Sequence, residues 1–228
     1  MLYGLDSAFG PTSEQAQHAL SLGYQWWGWY VGGPGAYHVW TDAEVAVLAA
    51  AGYHSSLPIW VPKLDLSGDP IADTHTAASR SEALGWYGAV ALDTEASMRG
   101  NPRLVPYVDG WNLAMQHRYG YSVVYGGGNY VGSAHPWWIV AGRNPTLYTC
   151  YQRGTTNIAG LDCDADVAGD SFPLCTLFSS IGDDMTPDEH QTLVNIAAQV
   201  QATNNVAQEA LNRVKNIERF LNVPDGGL

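Results

Sequence analysis

Three short segments of this 228-residue chain end apolar, β-prone runs in carboxylates: Tyr3-Gly4-Leu5-Asp6, Ala91-Leu92-Asp93-Thr94-Glu95 and Gly160-Leu161-Asp162-Cys163-Asp164-Ala165-Asp166. Strand side chains alternate faces, so Asp93 and Glu95 point the same way, one pleat apart. Carboxylates gathered at one place cannot all ionise, and one of them keeps its proton near neutral pH. Such an acid can protonate a glycosidic oxygen while an ionised neighbour stabilises or attacks the developing oxocarbenium ion. Trp27, Trp29, Trp60 and Tyr125 lie near the same strand ends and offer flat surfaces on which sugar rings stack. A lone Asp more often caps a helix or a turn. The weight lies in three acidic strand ends, one of them an Asp-x-Glu pair.

Other chemistries fit less well. Asp162, Asp164 and Asp166 alternate like the start of a Ca²⁺ loop, but the Gly and Glu that an EF-hand needs further on are missing. No Gly-x-Ser-x-Gly marks a serine hydrolase, and the seven His residues form no His-Glu-x-x-His pair. Tyr125-Gly126-Gly127-Gly128-Asn129-Tyr130 lacks the Lys of a phosphate cradle and reads as a tight strand-to-loop turn. Cys150, Cys163 and Cys175 show no zinc spacing; they read as buried free thiols, with a Cys163–Cys175 disulfide as the alternative. No cofactor and no metal is expected.

The elements that must position these groups alternate. Candidate strands cover 2–6, 24–31, 56–60, 88–93, 122–125, 137–140, 147–149 and 160–164, with helical stretches near 12–22, 41–51, 72–85 and 102–119. Thr12 and Thr41 open two of the helices, and Gly52 supplies a left-handed stop. Strand and helix repeated to about eight strands predict an α/β fold, a compact TIM-like (β/α) barrel whose working groups sit at the C-terminal strand ends. An open doubly wound sheet is the alternative, without a dinucleotide fingerprint to support it.

The character changes near residue 182, predicting a barrel over 1–182 and a helical segment over 183–228. Leu193, Ile196, Val200, Thr203, Ala207, Ala210, Val214, Ile217 and Leu221 step by three and four without a break. That spacing predicts a C-terminal amphipathic, coiled-coil helix and a homo-oligomer, a trimer for example, formed through residues 190–222. Packing of the same helix on its own barrel is the competing arrangement.

Composition bounds the partners. Hydrophobic residues make up 46% of the chain and charged ones 14%, enough for a core and unlike a disordered chain. Acidic residues outnumber basic ones 22 to 10, a net charge of −12 that argues against nucleic acid. No apolar run is long enough to cross a bilayer, so no membrane partner is expected. No basic, apolar leader opens the sequence, which predicts synthesis in a host cytoplasm without a signal peptide.

The order of Gly4-Leu5-Asp6, Leu92-Asp93-Thr94-Glu95, Val124-Tyr125-Gly126 and Asp164-Ala165-Asp166-Val167-Ala168 resembles the glycoside hydrolase family 25 muramidases. It is equally similar to the related glycoside-hydrolase-like domains of phage and actinobacterial proteins. The resemblance covers about residues 1–180. It implies cleavage of the β-1,4 bond between N-acetylmuramic acid and N-acetylglucosamine in peptidoglycan, without metal. Glu95 would be the general acid, and Asp93 would orient the N-acetyl group or stabilise the cation. Asp6 and Asp164 would complete the acidic ring, with Asp162 in place of Asp164 if the register differs by two. Two departures stand out: Ser7-Ala8-Phe9-Gly10-Pro11 lacks the family's Trp-Gln, and Asp166 stands where muramidases often carry Asn. With no leader and a substrate outside the cell, the expectation is a phage endolysin or a virion-associated lysin, with virion proteins as further partners. The alternative is a catalytically degenerate glycan-binding or structural tail protein.

Overall fold

The computed structural model describes residues 1–126, 137–139 and 150–178. All fall within the first of the chain's two units, Met1–Asp183. The predicted helical seam from Leu193 to Leu221 and the strand expected at 147–149 lie outside the described residues.

The described chain is a mixed α/β fold. Its strands are β1 (Leu2–Asp6), β2 (Trp26–Gly32), β3 (Ser55–Trp60), β4 (Trp86–Tyr87), β5 (Ala91–Asp93), β6 (Val123–Tyr125), β7 (Trp137–Ile139), β8 (Cys150–Ile158), β9 (Leu161–Ala168) and β10 (Cys175–Leu177). Its helices are α1 (Ser13–Ser21), α2 (Asp42–Ala51), α3 (Pro70–Ala83) and α4 (Leu104–Tyr119). Both threonines cap as their positions predict. Each closes a capping box, Thr12 with Gln15 and Thr41 with Glu44. Gly52 ends α2 in the left-handed region at φ 101°.

The ten strands hydrogen-bond in the order β2-β1-β9-β8-β7-β6-β5-β3-β10-β4, and β2 also pairs with β3. Neighbours are parallel from β1 through β2, β3, β5, β6 and β7 to β8. β9 is antiparallel to both β1 and β8. This corrects the regular eightfold strand–helix repeat expected of a TIM-like barrel. β9 arrives through a two-residue turn at Ala159-Gly160, both at positive φ, so β8 and β9 form a hairpin with no helix between them.

Two apolar layers follow from the period of two. Leu5, Trp27, Trp29, Val31, Trp60, Leu92 and Val124 face the helices, packing with Ala16, Leu48, Ala77, Trp111 and Met115. The opposite face carries Trp26, Leu57, Ile59, Ala91, Val123, Cys150 and Ala168. The pocket described below opens on this second face. Small residues make room there. Gly28 pairs with Asp6 across β1 and β2, and a Cβ on Gly28 would lie 2.7 Å from the Asp6 Cβ and 3.3 Å from Ile59 Cδ1. Gly28→Ala is therefore expected to cost about 1–3 kcal/mol through overpacking, measured by urea unfolding against the wild type. A variant of wild-type stability would show that Asp6 does not fill that space.

Candidate active site

Five parallel strands and the hairpin deliver one set of side chains to one opening. Asp6 ends β1, Asp93 ends β5 and Tyr125 ends β6, each on the pocket face. Tyr30 on β2 and Ile59 on β3 share that face by alternation. Glu95 follows Asp93 by two residues, past Thr94, whose N–H and hydroxyl both donate to the Tyr125 carbonyl oxygen. Gly126 makes this join possible: at φ 128° it lies so close to Thr94 that a Cβ would meet Thr94 Oγ1 at 2.0 Å. The tight turn expected at Tyr125-Gly126 begins as predicted; residues 127–130 lie outside the described residues.

Asp6, Tyr30, Ile59, Asp93, Glu95, Tyr125 and Asp164 together line a pocket of about 110 Å³. All four carboxylates with proposed catalytic roles are among them. Asp164 reaches the opening by a route that differs from the strand end expected of it. β9 runs antiparallel, so the mouth meets its first half rather than its end, and the register sets Asp164 opposite Asp6.

The site is acidic, and no Lys, Arg or His stands among its described lining residues. Asp93 is 5% exposed, and its Oδ1 has no hydrogen-bond partner among the described residues. Burial, with the Glu95 charge added, lifts its carboxyl from the ordinary 3.8 to about 8. Asp6, 8% exposed, is held well above the usual carboxylate range. Burial comes first among the causes, then the charge and hydrogen bond of Asp166, then Asp164 and Asp93. Asp164 is half-buried and raised by burial, offset by a hydrogen bond from Gln152. The Tyr30 and Tyr125 hydroxyls are pushed upward by burial and by the surrounding acids, which keeps both phenols neutral hydrogen-bonding groups.

Some expected site residues are elsewhere. Trp27 and Trp29 are fully buried on the helix face, their Nε1–H groups donating to Ser7 Oγ at 3.0 Å and Ser56 Oγ at 3.2 Å. Trp60, 7% exposed, stacks on Trp111 at 6.5 Å between ring centroids. All three sit one residue out of phase with the pocket face, so they build the core instead of a sugar platform. Asp162 is exposed beside the hairpin turn and accepts from Asn157 Nδ2 at 2.7 Å, away from the pocket. Cys150, Cys163 and Cys175 are free and buried, with no disulfide between the last two.

Other residues join the site without having been expected there. Tyr30 was detectable, because Gly28 and Tyr30 are in phase with each other and out of phase with the Trp pair. Gln152 on β8 accepts from the Tyr125 hydroxyl at 3.2 Å and hydrogen-bonds Asp164, linking β6 to β9. No sequence signal marked it. Among the described residues, no three His, Cys, Asp or Glu side chains are grouped to hold a metal ion.

A pH dependence follows from Asp93. Between about pH 4 and 8 the folded protein keeps a proton that the unfolded chain has released. Stability is therefore full below the ordinary carboxylate value and is lost as pH rises toward 8. The slope is at most roughly 1.4 kcal/mol per pH unit from this group. Urea unfolding of Asp93→Asn should show a shallower decline than wild type over that range; an identical slope would show that Asp93 ionises normally.

No protein-family model and no curated protein sequence matches the chain. Solved structures do. The muramidase from Acremonium alcalophilum superposes with a TM-score of 0.57 at 16% identity, covering 74% of this chain and 94% of that one. The catalytic domain of endolysin ply40 from bacteriophage P40 of Listeria monocytogenes gives 0.57 at 14% identity, over 74% and 93%. A family 25 glycosyl hydrolase from Bacillus anthracis gives 0.53 at 13%, over 74% and 88%. At these identities the likeness speaks for the backbone, and the chain has a fold like that of the family 25 glycoside hydrolases.

Proposed function

We propose that the protein is a peptidoglycan hydrolase, a muramidase cleaving the β-1,4 bond between N-acetylmuramic acid and N-acetylglucosamine. The observation that carries this reading is the meeting of Asp6, Asp93, Glu95 and Asp164 at one pocket with two neutral tyrosines. The likeness to muramidases and an endolysin in fold supports the same substrate class.

Each group has a role that its surroundings suit. Glu95, at the exposed rim, is placed to give a proton to the departing glycosidic oxygen as the bond to the anomeric carbon breaks. Asp93 has an oxygen at the pocket wall with no partner among the described residues, available to accept the acetamido N–H and turn that group's carbonyl oxygen toward the anomeric carbon. Asp164, the half-buried carboxyl set opposite Asp6, supplies the negative charge that opposes the positive charge developing on the ring. Water then adds, and the Glu95 carboxylate takes up its proton.

The sugar platforms assigned to Trp27, Trp29 and Trp60 pass in this reading to aromatics in the loops after β1 and β2. Phe9 is 48% and Tyr37 90% exposed. Their rings meet edge-to-face at 6.2 Å. Phe9 also packs against His38, which is held at 3.1 Å by the capping carboxylate Glu44. Phe9 lies three residues beyond Asp6, within ~11 Å of it along even a fully extended chain.

Supported by the pairing of β2 with β3, we read the sheet as a compact closed barrel. The unbroken three-four spacing from Leu193 to Leu221 supports an oligomer, and the endolysin likeness an origin in a phage acting on the bacterial wall. No helix among the described residues is long and apolar enough to cross a membrane.

Turbidity clearing of bacterial cell walls tests the assignment. Wild type should clear them with new reducing ends of N-acetylmuramic acid, and Glu95→Gln should be slower by about 10²–10⁴-fold. Equal rates would remove Glu95 from the chemistry, and a wild type that binds walls without releasing reducing ends would leave a glycan-binding protein.

A further inference from the structure

Another pocket stands at the same end of the sheet, with none of the four catalytic acids in its lining. β3 and β5 are parallel neighbours, and the loops that follow them, 61–69 and 94–103, lead into α3 and α4. Asn101 Nδ2 ties the two loops together by donating to the Asp65 carbonyl oxygen at 3.3 Å. Leu66, Ser67, Pro70, Arg103, Pro106 and Tyr107 line a space here of about 400 Å³. Leu66 and Tyr107 are buried and give it apolar walls. Arg103 is the charged group of its described lining, a cation in a chain of net charge −12. The acids of these segments are engaged with the fold. Asp69 Oδ1 accepts from the Ile71 N–H at 2.9 Å, Asp65 Oδ1 from the Ser67 N–H at 3.0 Å, and Asp73 Oδ2 from the Tyr107 hydroxyl. The Arg103 side chain makes no capping bond. It joins none of the ion pairs among the described residues.

The pocket is within reach of the chemistry. Three successive turns connect Glu95 to the start of α4: the N–H of Met98 donates to the Glu95 carbonyl oxygen at 2.9 Å, that of Asn101 to Met98 at 3.0 Å, and that of Leu104 to Asn101 at 3.0 Å. Each such turn brings its ends within about 7 Å, so Leu104, next to Arg103, stands within about 21 Å of Glu95. A muramic sugar carries on its lactyl group a short peptide of alanines and acidic residues. Four or five such residues, extended, span roughly 13–18 Å. Resting on the muramidase reading, we propose that this pocket is a subsite for the acidic peptide stem of the glycan strand, and that Arg103 binds a stem carboxylate. A guanidinium meets a carboxylate in a two-pronged, charge-assisted contact. The walls of Leu66, Pro70 and Pro106 suit alanine methyl groups. The cleft of four acids repels an anionic stem, and a cation beside it gives the stem a place to settle. Strands that keep their peptides are therefore preferred over bare glycan.

Binding and turnover test this separately. The binding probe is a synthetic stem peptide with free carboxyl groups and an acetylated amino end, titrated into the full chain and followed by NMR. Amide signals of Ser67, Gly68 and Arg103 should shift. Arg103→Gln should weaken binding by about tenfold, the effect expected of one charge-assisted contact at an open pocket, and Arg103→Lys should recover part of it. Both variants should melt with wild type, because the side chain is exposed and caps nothing. Absence of shifts, or equal binding by Arg103→Gln, would overturn the proposal. So would Arg103-dependent binding of polyglycerol phosphate in preference to the peptide, which would make this a phosphate site. Turnover is compared on wall glycan that carries its stems and on the same glycan stripped of them by an amidase. Wild type should show a KM about tenfold lower on the stem-bearing strands, and Arg103→Gln should lose that difference with kcat unchanged. A wild-type KM indifferent to stems, or a loss in Arg103→Gln that falls equally on both substrates, would overturn the subsite and leave the muramidase reading in place. Arg103-dependent peptide binding by a protein that cleaves neither glycan would overturn the muramidase reading and support the peptide site.

Discussion

Carboxyl groups packed against one another on the apolar side of a sheet are the constraint around which this structure is arranged. Taking a charge out of water costs several kcal/mol unless it is neutralised or paired, and no cationic side chain among the described residues reaches the pocket. The resolution is protonation: burial and mutual repulsion hold Asp6 and Asp93 in the neutral form far above the pH at which a free carboxyl ionises. A catalyst of glycoside cleavage needs both a proton and a negative charge, and an acidic site that cannot ionise completely supplies the two together.

The sheet makes this arrangement by register. Parallel pairing of β1, β5 and β6 with their neighbours brings Asp6, Asp93 and Tyr125 to one pocket, with Asp93 directly opposite Tyr125. The antiparallel hairpin then lays Asp164 against Asp6 and Asp166 one step below. A one-residue slip of β9 would turn its acids to the other face. The helices contribute by burying the far side. Six of the seven tryptophans of the described side chains, Trp26, Trp27, Trp29, Trp40, Trp86 and Trp111, are fully buried. Their bulk fixes the strands that carry much smaller functional groups.

Much of this was readable from the amino-acid order. β1 has the predicted bounds, α1 and α2 begin at their threonine caps, and Asp93 at the end of β5 lines one pocket with Glu95, which stands two residues past the strand. What escaped was phase and direction. Trp27 and Trp29 look like a binding surface until Gly28 is set opposite Asp6; the register then sends both indoles to the helices. β8 was missed because Gln152, Arg153, Gly154, Thr155, Thr156 and Asn157 form a polar ribbon with a register shift near Gly154, lacking any apolar alternation. Antiparallel entry of β9 depends on a two-residue turn, and a strand's own residues carry little record of its direction. Gln152 and Asp166 gain their importance from partners distant in sequence, which no local pattern encodes.

Titration of the aspartate and glutamate carboxyl carbons of the full-length protein by ¹³C NMR addresses the central point most directly. The account predicts the Asp93 carboxyl still largely protonated at pH 6.5 and titrating near 8, and the Asp6 carboxyl titrating well above the ordinary value, with each resonance lost in the matching Asn variant. A protein in which every carboxyl has ionised by about pH 5 would contradict it, because the groups would then be solvated and apart.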